Sequence, residues 1–139
     1  MESLHLIHGE RADWIPRARM ILEFGETRTF EPFQHGGHAR ESQRKTLPQL
    51  LDEFACVRSE NLNELQSLNL RPEDLGRRGL HPTFGPVTLS QLLATWAAHD
   101  LTHLHQISRT MAHQVRRLAV GPWSVFLGVL QCASHGAAA

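Results

Sequence analysis

The segment between Thr88 and Gly121 constrains the fold more than any other part of the chain. Its apolar residues recur at the spacing of a helix face, so we predict one long amphipathic helix over about residues 89–118. The stripe consists of Leu89, Leu92, Leu93, Trp96, Ile107 and Met111. Thr88 and Gln91 form a capping signature at its start, and Gly121-Pro122 ends it. Such a stripe must be covered by other elements, which favours an all-α domain.

Two histidines, His99 and His103, lie on the continuation of this stripe. Side chains at i and i+4 lie above one another on one helix face, so both imidazoles are expected to face the core. Two converging imidazoles can chelate a divalent metal ion, and His5 is a candidate third ligand. Three protein ligands leave coordination positions open for chemistry. The alternative is that His99 and His103 are core histidines satisfied by hydrogen bonds.

The rest of the chain predicts further helices, joined by a long loop and a hairpin. The additional helices are expected over about residues 3–24, 47–68 and 123–132, with a short helical turn at 71–75 and a hairpin within 79–87. Residues 25–45 lack periodicity and predict a surface loop. We expect one domain over residues 1–132 and a flexible tail over 133–139.

Local signals set the ends of these helices. Pro16 is expected to kink the first helix or restart it after Asp13, and Gly25 closes it. Thr46 and Gln49 repeat the capping signature at the start of the second helix. The apolar residues that this second helix is expected to bury are Leu50, Leu51, Phe54, Val57, Leu62, Leu65 and Leu68.

The charge and cysteine content of the chain restrict which partners and which cellular compartment we expect. The chain has 139 residues with 14 basic and 14 acidic side chains, so no overall field attracts nucleic acid or an anionic membrane. Its cysteines, Cys56 and Cys132, form no metal knuckle or disulfide framework, which predicts reduced thiols in a cytoplasmic protein. No apolar run approaches the roughly 18 residues of a membrane span.

Four ordered segments resemble the DinB/YfiT-like metalloprotein superfamily. They are His5-Leu-Ile-His8-Gly-Glu10-Arg-Ala-Asp13-Trp14, Arg78-Gly-Leu-His81-Pro-x-Phe84-Gly-Pro86-Val-Thr88-Leu, Trp96-x-x-His99-Asp100-x-x-His103-x-x-Gln106-Ile107 and Val120-Gly-Pro-Trp123. The resemblance covers about residues 2–131. It implies an up-up-down-down four-helix bundle and a divalent metal ion, zinc or nickel, held by His5, His99 and His103.

Other polar residues near these motifs have alternative interpretations. His8 could replace His5 as a ligand, and Asp100 is either an outer-shell acceptor or an exposed carboxylate. Glu10 and Asp13 are interpreted as surface or helix-end charges, and His105 as a surface residue. The remaining histidines with two interpretations are His35 and His38, a weak metal site or a flexible turn, and His81, a loop residue or part of the pocket wall.

The resemblance favours a metal-dependent enzyme, while a second function class stays open. Characterised relatives include thiol-dependent transferases and isomerases, which implies a transferase for a low-molecular-weight thiol, or a related isomerase or hydrolase. A zinc protease is rejected, because Asp100 is one methylene too short for the glutamate of a His-Glu-x-x-His motif. The alternative is a non-catalytic helical protein with a structural or vestigial metal site.

The family's bundle has a complete helix before the first ligand, whereas only four residues precede His5 here. A bundle without that helix would expose an apolar groove beside the N-terminal helix. We therefore expect a homodimer in which a helix from a second copy, or a swapped segment, covers the groove and buries on the order of 2,000 Å² or more. The other expected partner is a small thiol substrate.

Overall fold

The structure is a computed structural model that describes residues 7, 9–32, 45–119 and 121–123. This part of the chain is mostly helical, as the sequence predicted, with one two-stranded hairpin. None of the helices within it is long and apolar enough to cross a membrane. The chain divides into two compact units, Met1–Asp100 and Leu101–Ala139.

The first described helical residues are interrupted at Asp13, so the single helix expected over 3–24 is divided. Residues 9–12 are helical, and helix α1 follows over Trp14–Phe24. Pro16 has no N–H to bond to the carbonyl group four residues earlier, which explains the break. Gly25 ends α1 with a φ of 57°, a conformation that glycine adopts without steric cost. The predicted restart after Asp13 and the predicted end are both confirmed.

Both predicted helix starts are capped as expected. Helix α2 covers Leu47–Ser67, and Thr46 and Gln49 form its capping box. Helix α3 covers Leu89–Leu118. At its start, the Thr88 backbone N donates to Gln91 Oε1 at 2.9 Å, and the Gln91 N donates to Thr88 Oγ1 at 3.1 Å. These reciprocal bonds satisfy backbone groups that a helix end leaves without intrahelical partners.

The connection between α2 and α3 contains the expected turn and hairpin. A short 3₁₀ helix covers Pro72–Gly76. Strand β1 (Arg78–His81) pairs antiparallel with β2 (Gly85–Thr88), with Gly79 opposite Val87.

The expectation of a surface loop over residues 25–45 is wrong for its first part. A 3₁₀ helix covers Gly25–Thr27, and Thr29 then forms a parallel bridge with Leu80. The Phe30 N donates to the Leu80 carbonyl group at 2.9 Å, and the Phe30 side chain is only 2% exposed. A buried aromatic side chain therefore anchors this segment.

The core of the first unit joins α1 to the start of α3. Its buried apolar side chains are Trp14, Ile15, Ala18, Ile21, Phe30, Leu89, Leu92 and Trp96. Helix α2 has no fully buried residue, although Leu65 packs against this cluster. The expected burial of Leu51 and Leu62 is wrong, because these side chains are 55% and 51% exposed.

The second unit begins with the remainder of α3 and includes a 3₁₀ turn at 121–123. His103 is buried here, but the two residues of the predicted core stripe that lie in this unit are exposed, with Met111 63% and Ile107 39% accessible. The helix predicted over 123–132 and the tail lie outside the described residues, except for residue 123 itself.

Candidate metal centre

Helix α3 supplies two of the three predicted metal ligands. His99 and His103 are one helical turn apart on the same face, with His103 buried and His99 partly buried. The third predicted ligand, His5, lies outside the described residues, as do His8, His35 and His38. Within the described residues alone, no group of three His, Cys, Asp or Glu side chains could hold a metal ion.

Two elements of the first unit lie against His99. The Trp14 ring meets the imidazole edge to face at a centroid distance of 5.3 Å and is stacked on Trp96 at 6.0 Å. On the other element, a Cβ placed on Gly9 would lie 3.8 Å from His99 Cε1 and 3.5 Å from Trp14 Nε1. The helical segment 9–12 therefore begins beside His99.

Glu10, the residue after Gly9, is buried and accepts hydrogen bonds at both carboxylate oxygens. Its interpretation as a surface charge is therefore wrong. Its side chain is 1% exposed. Glu10 Oε1 accepts from Trp96 Nε1 and from Arg58 Nη2, both at 2.8 Å. Asn61 Nδ2 donates to Glu10 Oε2 at 3.0 Å and to the Glu10 carbonyl group at 2.6 Å. These donors provide the partners that a buried carboxylate requires.

Arg58 also binds Asp100, the residue that follows His99. Its Nη1 donates to Asp100 Oδ2 at 2.7 Å and its Nη2 to Oδ1 at 2.8 Å, a bidentate pair. The hydrogen bond to Asp100, with a further contribution from Glu10, raises the pKa of Arg58 despite the opposing effect of burial. The guanidinium also lies 5.3 Å from the Trp96 ring centroid and 5.1 Å from that of Phe54. Asp100 is thus an acceptor in a hydrogen-bond network, which was one of the two interpretations that the sequence left open for this residue.

Sequence reasoning missed Arg58 and Asn61, although a signal was present. Both belong to a row on α2 in which Phe54 and Leu65 also lie, at the spacing that shares one helix face. Polar residues inside a row of apolar residues indicate buried hydrogen bonds. The acceptor, Glu10, lies 48 positions from Arg58, so helix periodicity alone does not identify it.

The remaining polar candidates have local roles. His81 Nδ1 accepts from the backbone N of Thr83 at 3.1 Å and of Phe84 at 3.2 Å, and its ring stacks on Phe84 at 4.4 Å. Burial lowers the pKa of His81, and the charge of Arg17 lowers it further. His81 therefore stabilises the hairpin turn as a neutral acceptor. Asp13 pairs with Arg17 at 2.7 Å at the start of α1, and His105 is exposed, as expected.

Fold and site together define a mostly helical protein in which His99, the first residue of a His-x₃-His pair, packs against Trp14 and precedes Asp100 of a buried polar network. The family model of the DinB superfamily matches residues 3–107, which include His5, His99 and His103. The chain therefore belongs to the DinB superfamily. No curated protein sequence matches it.

Proposed function

We propose that this protein binds a divalent metal ion, zinc or nickel, through His5, His99 and His103. The observation that carries the proposal is the position of Gly9 beside His99, because it places the segment that follows His5 next to the helix of the other two ligands. The four-helix bundle of the family and a cytoplasmic location belong to the same proposal.

The donor set suits such an ion. Neutral imidazole is a good ligand for zinc and nickel, and a helix presents two of them at i and i+4. Trp14 Nε1, also next to Gly9, is buried and donates to no acceptor among the described residues. An unused donor at this position suits an electronegative atom of a bound small molecule.

The proposed activity is transfer of a low-molecular-weight thiol, with a related isomerase or hydrolase reaction as the neighbouring possibility. A bound divalent ion would supply Lewis acidity, which makes water or a thiol more nucleophilic near neutral pH. The chain's own contribution is to hold the imidazoles, with Trp14 packed against the His99 ring. Ring packing of this kind restricts the orientation of a ligand side chain.

A specific observation favours a second function, a non-catalytic protein with a structural metal site. Glu10 and Asp100, the two carboxylates closest in sequence to Gly9 and His99, both accept hydrogen bonds from Arg58. The guanidinium occupies oxygens of both carboxylates, so neither is positioned to take a proton from a bound molecule during a reaction.

Titration of untagged protein with Zn²⁺ or Ni²⁺ in a calorimeter tests the metal site. We expect one ion per chain, with binding weakened more than about 100-fold in His5→Ala, His99→Ala and His103→Ala, since outer-shell changes alone cost roughly 10- to 100-fold. His105→Ala is the matched control, because His105 is exposed on the same helix. Unchanged affinity in His5→Ala together with a loss in His8→Ala would reassign the first ligand to His8. Unchanged affinity in His99→Ala would contradict the proposal.

A separate assay distinguishes the two functions. Metal-loaded protein is incubated with an electrophile and glutathione, bacillithiol or mycothiol, with and without a chelator. Turnover that disappears with the chelator supports the transferase. Tight metal binding without turnover of any of these thiols supports the structural role.

A further inference from the structure

We propose that Arg58 is a positioning residue for the metal centre, because it links the segment that follows His5 in the sequence to the helix that carries His99. The inference rests on the proposed function. Nη2 of the guanidinium donates both to Glu10, five positions after His5, and to Asp100, next to His99, and Nη1 donates to Asp100 as well. A single side chain of α2 thus connects the N-terminal segment with α3.

The geometry of Arg58 is well suited to fix distances between these elements. Three hydrogen bonds of 2.7–2.8 Å join the guanidinium to the two carboxylates. Guanidinium is planar and offers its donors in a rigid fork, so bidentate binding restricts rotation as well as separation. Contacts with the rings of Trp96 and Phe54 further restrict the orientation of the guanidinium plane.

Burial makes this link more effective than a surface ion pair. The Arg58 side chain is 22% exposed, and those of Glu10 and Asp100 are 1% and 27% exposed. Exposed ion pairs are screened by water and contribute about 0–1 kcal/mol, whereas charges with less solvent interact more strongly. Asn61 and Trp96 complete the hydrogen bonding of Glu10, so this carboxylate has a defined position.

The role of Asp100 follows from its place in the chain. Asp100 is bonded covalently to His99, and a helix fixes the directions of adjacent side chains. A restraint on the Asp100 carboxylate therefore also restrains the backbone that presents the His99 imidazole. Through Glu10, the same guanidinium restrains the backbone that follows His5.

Metal affinity of folded variants tests this role. Arg58→Lys keeps the positive charge but loses the forked donors of the guanidinium. Asp100→Asn weakens the bidentate pair but keeps a polar side chain at this partly buried position. For each variant we expect circular dichroism of a folded helical protein and binding of Zn²⁺ and Ni²⁺ weakened by roughly 10- to 100-fold. In the double variant, metal binding should be at most about twofold weaker than in the single variant that binds less tightly, because both changes break the same link.

Arg19→Lys is the matched control. Arg19 pairs with Glu64 and also joins α1 to α2, but its side chain is 61% exposed and it binds no residue of the Glu10–Asp100 network. Its metal affinity should stay within about twofold of wild type. Lower thermal stability with wild-type affinity in Arg58→Lys and Asp100→Asn would overturn the positioning role and leave a structural one. A wild-type chain that binds neither ion would instead overturn the proposed function, and the positioning role with it.

Discussion

The carboxylate of Glu10 has donors from two helices around it, which makes single side chains decisive in this part of the molecule. Arg58 and Asn61 come from α2 and Trp96 from α3. A buried acceptor that loses a donor retains its desolvation penalty, so each partner matters more than an average hydrogen bond.

The two stacked tryptophans allow this effect to be measured. Trp96→Phe keeps an aromatic ring but removes the donor to Glu10 Oε1, and we expect a loss of about 1–3 kcal/mol beyond the effect of ring size. Trp14→Phe is the comparison, because Trp14 Nε1 has no acceptor within the described chain. Urea unfolding of both variants gives the two free energies. Equal losses would show that the indole N–H of Trp96 contributes no net stability.

At the residue scale, the sequence was informative where the chemistry is local. The caps at Thr46 and Thr88 were predicted because the two partners of each capping box lie three residues apart. The burial of Glu10 was not predicted, because its donors lie 48 or more positions away. The ligand His5 stays a prediction.

At the scale of elements, Gly79 brings the hairpin close to α1. A Cβ at this position of β1 would lie 2.7 Å from Ile21 Cγ1 and 2.8 Å from Phe30 Cζ. The hairpin therefore approaches α1 and the Phe30 anchor so closely that no side chain fits. The sequence predicted the hairpin from its turn residues, but the burial of Phe30 depends on this nonlocal contact and was missed.

Gly79→Ala tests the packing between these elements. We expect a loss of about 1–3 kcal/mol in the free energy of unfolding, because Ile21 and Phe30 must move to accommodate the methyl group. Gly76→Ala is the control, since a Cβ there meets no atom within 4 Å and the residue lies in the adjacent 3₁₀ helix. Its stability should stay within about 0.5 kcal/mol of wild type. A similar stability for both variants would indicate that the hairpin moves away from α1 at little cost.

At the scale of the whole molecule, helix α3 presents an exposed apolar surface in the second unit. Five apolar residues of α3 in this unit are each 55% or more exposed. Together with Ser108, they are spaced alternately three and four residues apart, which is the spacing of a coiled-coil stripe. They are Leu101, Leu104, Met111, Val115 and Leu118. The sequence identified this helix as amphipathic but assigned Met111 to a stripe that faces the core, and it did not identify the other four residues as a stripe. Periodicity shows that a helix face is apolar and not which surface covers it.

The homodimer stays a prediction, and the sequence placed its interface at a groove beside the N-terminal helix. We propose this stripe of α3, paired with the stripe of a second copy, as a different interface for it. Four positions that flank the stripe hold His105, Ile107, Ala112 and Gln114, and none of the four is Asp, Glu, Lys or Arg. Light scattering at micromolar concentration should give twice the 15.7 kDa mass of one chain. Leu104→Glu combined with Met111→Glu should give monomers with unchanged helix content, because both side chains are exposed within one chain. Arg109→Ala, on another face of the same helix, should remain a dimer. A monomeric wild type would contradict the dimer, and a dimer that survives both glutamates would place its interface elsewhere.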